Sequence, residues 1–143
     1  MKKISQTEIQ NLIALHQRGL DDDVISKAAS LVKDYPEEII LFNLLGVSFE
    51  RKGSLKNAAG AYKNALKINP NIPEMNFNLG AILFSENKVE EAIQFYEKSI
   101  QLNNNFPEAY FNLGIALQSM GRFDEATECY QKAIQIQPGF FEA

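Results

Sequence analysis

The chain repeats itself every 34 residues. Leu45-Gly46, Leu79-Gly80 and Leu113-Gly114 recur at that interval, followed by Ala58, Ala92 and Ala126, by Tyr62, Tyr96 and Tyr130, and by Ala65, Ser99 and Ala133. Pro36, Pro70 and Pro138 close the units, with Asn104 at the place of a missing proline. A unit of this length holds two short helices. Two helices alone cannot bury both apolar faces, so such units gain stability by stacking on one another.

Within each unit the apolar residues fall three and four apart, as in Phe42, Leu45, Gly46 and Phe49, which is helical and not strand periodicity. A glycine inside a helix costs roughly 0.5–1 kcal/mol relative to alanine, so Gly46, Gly80 and Gly114 must offer close approach to a partner helix. Tyr62, Tyr96 and Tyr130 are expected to fill the space between neighbouring units. Gly53, Asn87 and Gly121 stand where a helix end requires a left-handed residue, and the prolines stop the second helices. Residues 5–38 span one more period, with Gly19 at the turn. Here Leu12 replaces the helix glycine and the apolar stripe of Ile9, Leu12, Ile13 and His16 is slipped by about one residue.

The order of large residue, Leu-Gly, Ala, aromatic, Ala and Pro resembles the tetratricopeptide repeat. Phe106-Pro107-Glu108-Ala109-Tyr110-Phe111-Asn112-Leu113-Gly114 carries the front half of that pattern, and Asp124-Glu125-Ala126, Tyr130, Ala133 and Pro138 carry the back half. The resemblance implies an all-α protein, an α-α superhelix (tetratricopeptide solenoid) with three full repeats at 39–72, 73–106 and 107–140. A degenerate N-terminal capping repeat occupies 1–38. Asn76 and Asn104 depart from the pattern and are expected to loosen the middle repeat slightly. Residues 141–143 look like the opening of a further repeat, so the chain is expected to be a piece of a longer protein, with self-association through the uncapped C-terminal end as the alternative.

A formal net charge of −4 over 143 residues and a pI near 5.0 argue against nucleic acid and anionic membrane surfaces as partners. The charged start is followed by no apolar run, no segment has the length of a membrane span, and the lone Cys129 cannot pair internally, so a cytoplasmic setting is expected. No catalytic set emerges. His16 is the one histidine, Cys129 has no histidine to activate it, and no glycine belongs to a phosphate loop. Asp21-Asp22-Asp23 reads as complement to a helix N-terminus, since further ligands for a cation are missing. No cofactor and no metal are expected.

By the same resemblance the first helix of each repeat lines a groove, and the position two before the glycine, Asn78 and Asn112, faces into it. A side-chain amide both donates and accepts, so aligned asparagines can pair with the backbone of an extended peptide. This is similar to the asparagine ladder of O-linked N-acetylglucosamine transferases. Two roles stay open for them: contact to a peptide, or solvating the groove and holding neighbouring helices. Asn43 lies one place from the ladder position, Glu74 and Glu108 project toward the groove edge, and Arg51 is the nearby counter-charge. These residues favour a neutral or basic peptide, whereas the Lys and Arg set that grips acidic tails in heat-shock co-chaperones has no counterpart. The expected function is a non-enzymatic protein-protein interaction module. The alternative is the substrate-recruiting N-terminal part of a larger enzyme such as a glycosyltransferase or sulfotransferase.

Overall fold

The computed structural model describes residues 2–139, and the expectation for residues 141–143 lies outside them. Eight helices and no strand form among the described residues: α1 (Gln6–Gln17), α2 (Asp21–Asp34), α3 (Ile39–Arg51), α4 (Leu55–Ile68), α5 (Pro73–Ser85), α6 (Val89–Leu102), α7 (Pro107–Ser119) and α8 (Phe123–Ile136). The protein is all-α. Its helices group into two compact units, one reaching to Pro70 and the other starting at Asn71.

The hairpin turns are built alike. Gly19, Gly53 and Gly121 have φ of +73°, +76° and +76°, and Asn87 has φ of 64°, as the turn residues require. Around each, two backbone bonds close the helix end. Gly53 N–H donates to Glu50 C=O (2.9 Å) and Ser54 N–H to Phe49 C=O (2.8 Å), and Asn87 N–H donates to Phe84 C=O (3.0 Å) and Lys88 N–H to Leu83 C=O (2.9 Å). This paired pattern satisfies carbonyls that the helix leaves open and turns the chain straight into the next helix. Pro73 and Pro107 begin α5 and α7, where a missing N–H costs nothing. Ser5 caps α1 reciprocally with Glu8.

In the first unit, Leu12, Val24, Ala28 and Leu41 are fully buried, with Leu44, Leu45 and Ala61 nearly so, and α3 packs against both α2 and α4. Leu12, the residue that replaces a helix glycine, is thus a core side chain. The slipped stripe of α1 packs through Leu12, with Ile9, Ile13 and His16 half-buried. In the second unit, Leu79, Leu83, Ala92, Ile93, Leu113 and Leu117 form the centre, and α6 packs against α5 and α7.

The rings of Tyr62, Tyr96 and Tyr130 each lie on the glycine of their own hairpin. A Cβ on Gly80 would stand 3.0 Å from the Tyr96 ring, one on Gly114 would stand 2.5 Å from Tyr130, and Gly46 faces Tyr62 in the same way. Asn76, expected to loosen its repeat, is a core residue. It is 2% exposed and donates from Nδ2 to the Ile72 carbonyl at 2.8 Å, which satisfies the amide inside the core. The neighbouring Phe77 packs on Tyr96 (5.9 Å between centroids, 48°), as Phe111 packs on Tyr130 (5.8 Å, 49°). At the missing proline, Asn103 Oδ1 accepts from Asn105 N–H at 3.1 Å, and this side-chain turn stops α6 in proline's place.

Candidate functional site

The candidate groove residues divide between the two units. Asn43 and Arg51 lie on α3 in the first, and Glu74, Asn78, Glu108 and Asn112 lie on α5 and α7 in the second.

Arg51, at the last turn of α3, is held by the two preceding helices. One guanidinium nitrogen donates to the His16 carbonyl (3.1 Å) and to Asp21 Oδ1 (3.3 Å), and both imidazole nitrogens lie 3.4 Å from the guanidinium. Lys52 makes a second ion pair, with Asp22. The acidic start of α2 therefore does more than complement its own helix end: it ties α2 to the end of α3. Burial and the Arg51 charge hold the His16 pKa below its usual value, opposed by Asp21. Asn43 is half-buried and occupies the register at which α5 and α7 place Phe77 and Phe111 against their tyrosines.

In the second unit α5 and α7 touch, and Glu74 and Asn78 of α5 stand one 34-residue period before Glu108 and Asn112 of α7. Glu74 and Glu108 are exposed in the first turns, and Asn78 and Asn112 are half-buried one turn on. Burial pushes Tyr96 up to about 12, and the side chain of Asn112, near the Tyr96 hydroxyl, opposes that shift. The other tyrosines meet different side chains. Tyr130 donates to Gln118 Oε1 (2.7 Å), one helix back in its own hairpin. The equivalent of Gln118 in the first unit is Glu50, whose carboxyl is raised by burial, an effect that the nearby Tyr62 side chain opposes. In the middle hairpin that position is Phe84, which has no polar side-chain atom, and the polar side chain beside Tyr96 is Asn112 of the next hairpin.

At the end of the second unit, Ala133 is fully buried and Tyr130 half-buried, while Ile134 (44%) and Phe123 (62%) are exposed. Glu128, Gln131, Lys132 and Gln135 make the rest of that α8 surface polar. Cys129 is half-buried, and burial with the carboxylates of Glu128, Glu125 and Glu97 pushes its thiol up to about 11, the reverse of an activated nucleophile. Among the described residues no group of three or more His, Cys, Asp or Glu could hold a metal ion, and no helix is long and apolar enough to cross a membrane.

Antiparallel helix pairs of nearly constant length, each closed by the same left-handed turn and the last three each seating a tyrosine on a glycine, define a helical-hairpin repeat protein. The chain belongs to the tetratricopeptide repeat family: the family model described as "Tetratricopeptide repeat" matches residues 107–140, and a second, described as "TPR repeat", matches 46–85 and 80–121. No curated protein matches the sequence. Among solved structures, the chain is similar to a crystal structure of MamA at 26% identity and a TM-score of 0.86, over 99% of this chain and 80% of that one. A second MamA crystal structure matches at 26% identity and a TM-score of 0.88, over 95% and 74%. A double mutant of MamA from RS-1, at 17% identity and a TM-score of 0.84 over 92% and 74%, shares the fold.

One feature was not extracted from the sequence. Helix α4 carries Lys56, Lys63 and Lys67 and no acidic residue, whereas α6 and α8 are acidic at their starts. The signal was available as a charge count per helix, which the net charge of the whole chain averages away.

Proposed function

We propose that the protein is a non-enzymatic interaction module that takes an extended, neutral or basic peptide across α5 and α7 of the second unit. The family supports binding of a protein or peptide as the general role. What carries the specific reading is that Glu74 and Glu108, and Asn78 and Asn112, hold equivalent repeat positions on two touching helices. From Asn71 onward the sequence holds four Lys and Arg against ten Asp and Glu, a field that favours cationic ligands. The single histidine engaged by Arg51 and the deactivated thiol of Cys129 support a role without covalent chemistry.

The test uses exposed residues, because Asn112 is half-buried and lies near Tyr96. Glu74→Lys with Glu108→Lys should keep helical circular dichroism unchanged and weaken binding of basic peptides from an immobilised peptide library by about tenfold or more. Retention of the same peptides with the same affinity by the variant would place recognition elsewhere.

A further inference from the structure

In the first unit, residues of α2, α3 and α4 enclose an open groove of about 380 Å³. Phe42, Leu45 and Phe49, at i, i+3 and i+7 of α3, supply an apolar stripe, with Val32 of α2 and Gly60 of α4 at its sides. Lys56, Asn57 and Asn64 line the α4 edge.

Two features of α4 have no explanation in the packing of the unit. Gly60 lies inside the helix and is exposed, and a Cβ added there would meet nothing within 4 Å. It therefore loses helix stability without making room for any neighbour in the fold, unlike Gly46, Gly80 and Gly114. The equivalent residues on α6 and α8 are Gln94 and Glu128. The second feature is charge. Lys56, Gly60, Lys63 and Lys67 fall at i, i+4, i+7 and i+11, on one face of the helix. Where α4 has Lys56 and Lys63, α6 has Glu90 and Glu97, and Lys67 replaces Gln101. No ion pair to these three lysines forms among the described residues. Residues 1–70 hold ten Lys and Arg against eight Asp and Glu, in a chain whose net charge is −4.

We infer that this groove docks an acidic amphipathic helix of a partner protein, whose apolar side chains enter between α2 and α4 while its carboxylates meet Lys56, Lys63 and Lys67. Charge complementarity selects the partner, and the apolar floor selects a helix with bulky residues three and four apart. Gly60 lets the partner's backbone come close, where a glutamine as on α6 would fill the rim. A bilayer fits the site less well: Leu45 on the floor is only 6% exposed, so it is reached by a protruding side chain and not by a flat surface. This site is separate from the α5 and α7 face and does not depend on the function proposed there.

The probe is a synthetic helical peptide of about 18 residues, with leucines at helical spacing on one face and glutamates elsewhere, read by fluorescence anisotropy and by amide chemical shifts. Its controls are the same peptide with lysine for glutamate and phosphatidylserine vesicles. The acidic peptide should bind the wild-type chain about tenfold or more tightly than the basic one, weaken with salt, and shift amides around Val32, Leu45 and Gly60. Lys56→Glu with Lys63→Glu should weaken it about tenfold, and Gly60→Gln severalfold, with helical content retained, since each substitution restores the residue that α6 carries. Equal binding of the two peptides, shifts confined to residues beyond Asn71, affinity unchanged in the variants, or preference for the vesicles would each overturn the assignment.

Discussion

Gly114 and Tyr130 occupy one another's space: a Cβ on the glycine would lie 2.5 Å from Cε1 of the tyrosine ring. The same pairing joins Gly80 to Tyr96 and Gly46 to Tyr62, so the period of the sequence is the period of a steric contact. Each of the three hairpins from α3 to α8 accepts a glycine in a helix because it seats an aromatic ring against bare backbone. The repetition of these three thus has a physical cause inside the hairpin itself.

This contact separates two kinds of helix glycine. Gly46→Ala should destabilise by about 1–3 kcal/mol, since the fully buried Tyr62 ring has no free space to move into. Gly60→Ala should stabilise by about 0.5–1 kcal/mol, because its Cβ enters open space and only helix propensity changes. Urea unfolding of both variants checks the pair, and a loss of stability in Gly60→Ala would contradict it.

Ser48 is fully buried and its hydroxyl has no hydrogen-bond partner among the described residues. The equivalent residues are Ile82 and Ala116, both buried and apolar. Ser48→Ala should therefore raise stability by about 1 kcal/mol, by removing a polar atom that was desolvated without compensation. A lower midpoint in chemical denaturation would show that the hydroxyl finds a partner in solution.

His16 makes stability depend on pH in a defined direction. Its folded pKa lies below the usual 6.5 because of burial and the adjacent Arg51, so the unfolded chain binds the proton more readily. Its contribution is complete above about pH 6.5 and declines as pH falls toward the lowered folded value. Thermal midpoints of wild type and His16→Gln should therefore diverge from the neutral-pH difference as pH falls from 7.5 to 5.5, wild type losing more. Parallel curves would remove His16 from the account, since Glu50 and the other carboxylates titrate in both proteins.

Cys129 should react slowly with thiol reagents. With the thiol pushed up to about 11, only about one molecule in a thousand carries a thiolate at pH 8. Alkylation should accelerate strongly when the chain is unfolded in urea, which removes both burial and the ordered carboxylates of Glu97, Glu125 and Glu128. Equal rates in both states would mean that the α8 environment does not control the sulfur.

The helices, their turns and the buried glycines were legible in the sequence because each rests on local spacing. Apolar residues three and four apart, a glycine or asparagine at every turn, and a proline near three of the four exits appear whether or not the chain has folded. Gly19, Gly53, Asn87 and Gly121 adopt positive φ at the four places their residue types predict. The degenerate opening repeat was legible for the same reason, since its second helix keeps Val24 and Ala28 in register and both are fully buried.

What only the tertiary structure decided was which polar atoms meet. Tyr130 bonds Gln118 within its own hairpin, whereas Tyr96, whose hairpin has Phe84 at that position, lies near Asn112 of the next. Arg51 goes to His16 and Asp21, thirty and more residues away in the chain. Asn76 is satisfied in a core that its type would not suggest. Periodicity records which face of a helix is buried, but a hydrogen bond depends on a few tenths of an ångström between atoms that the fold alone brings together.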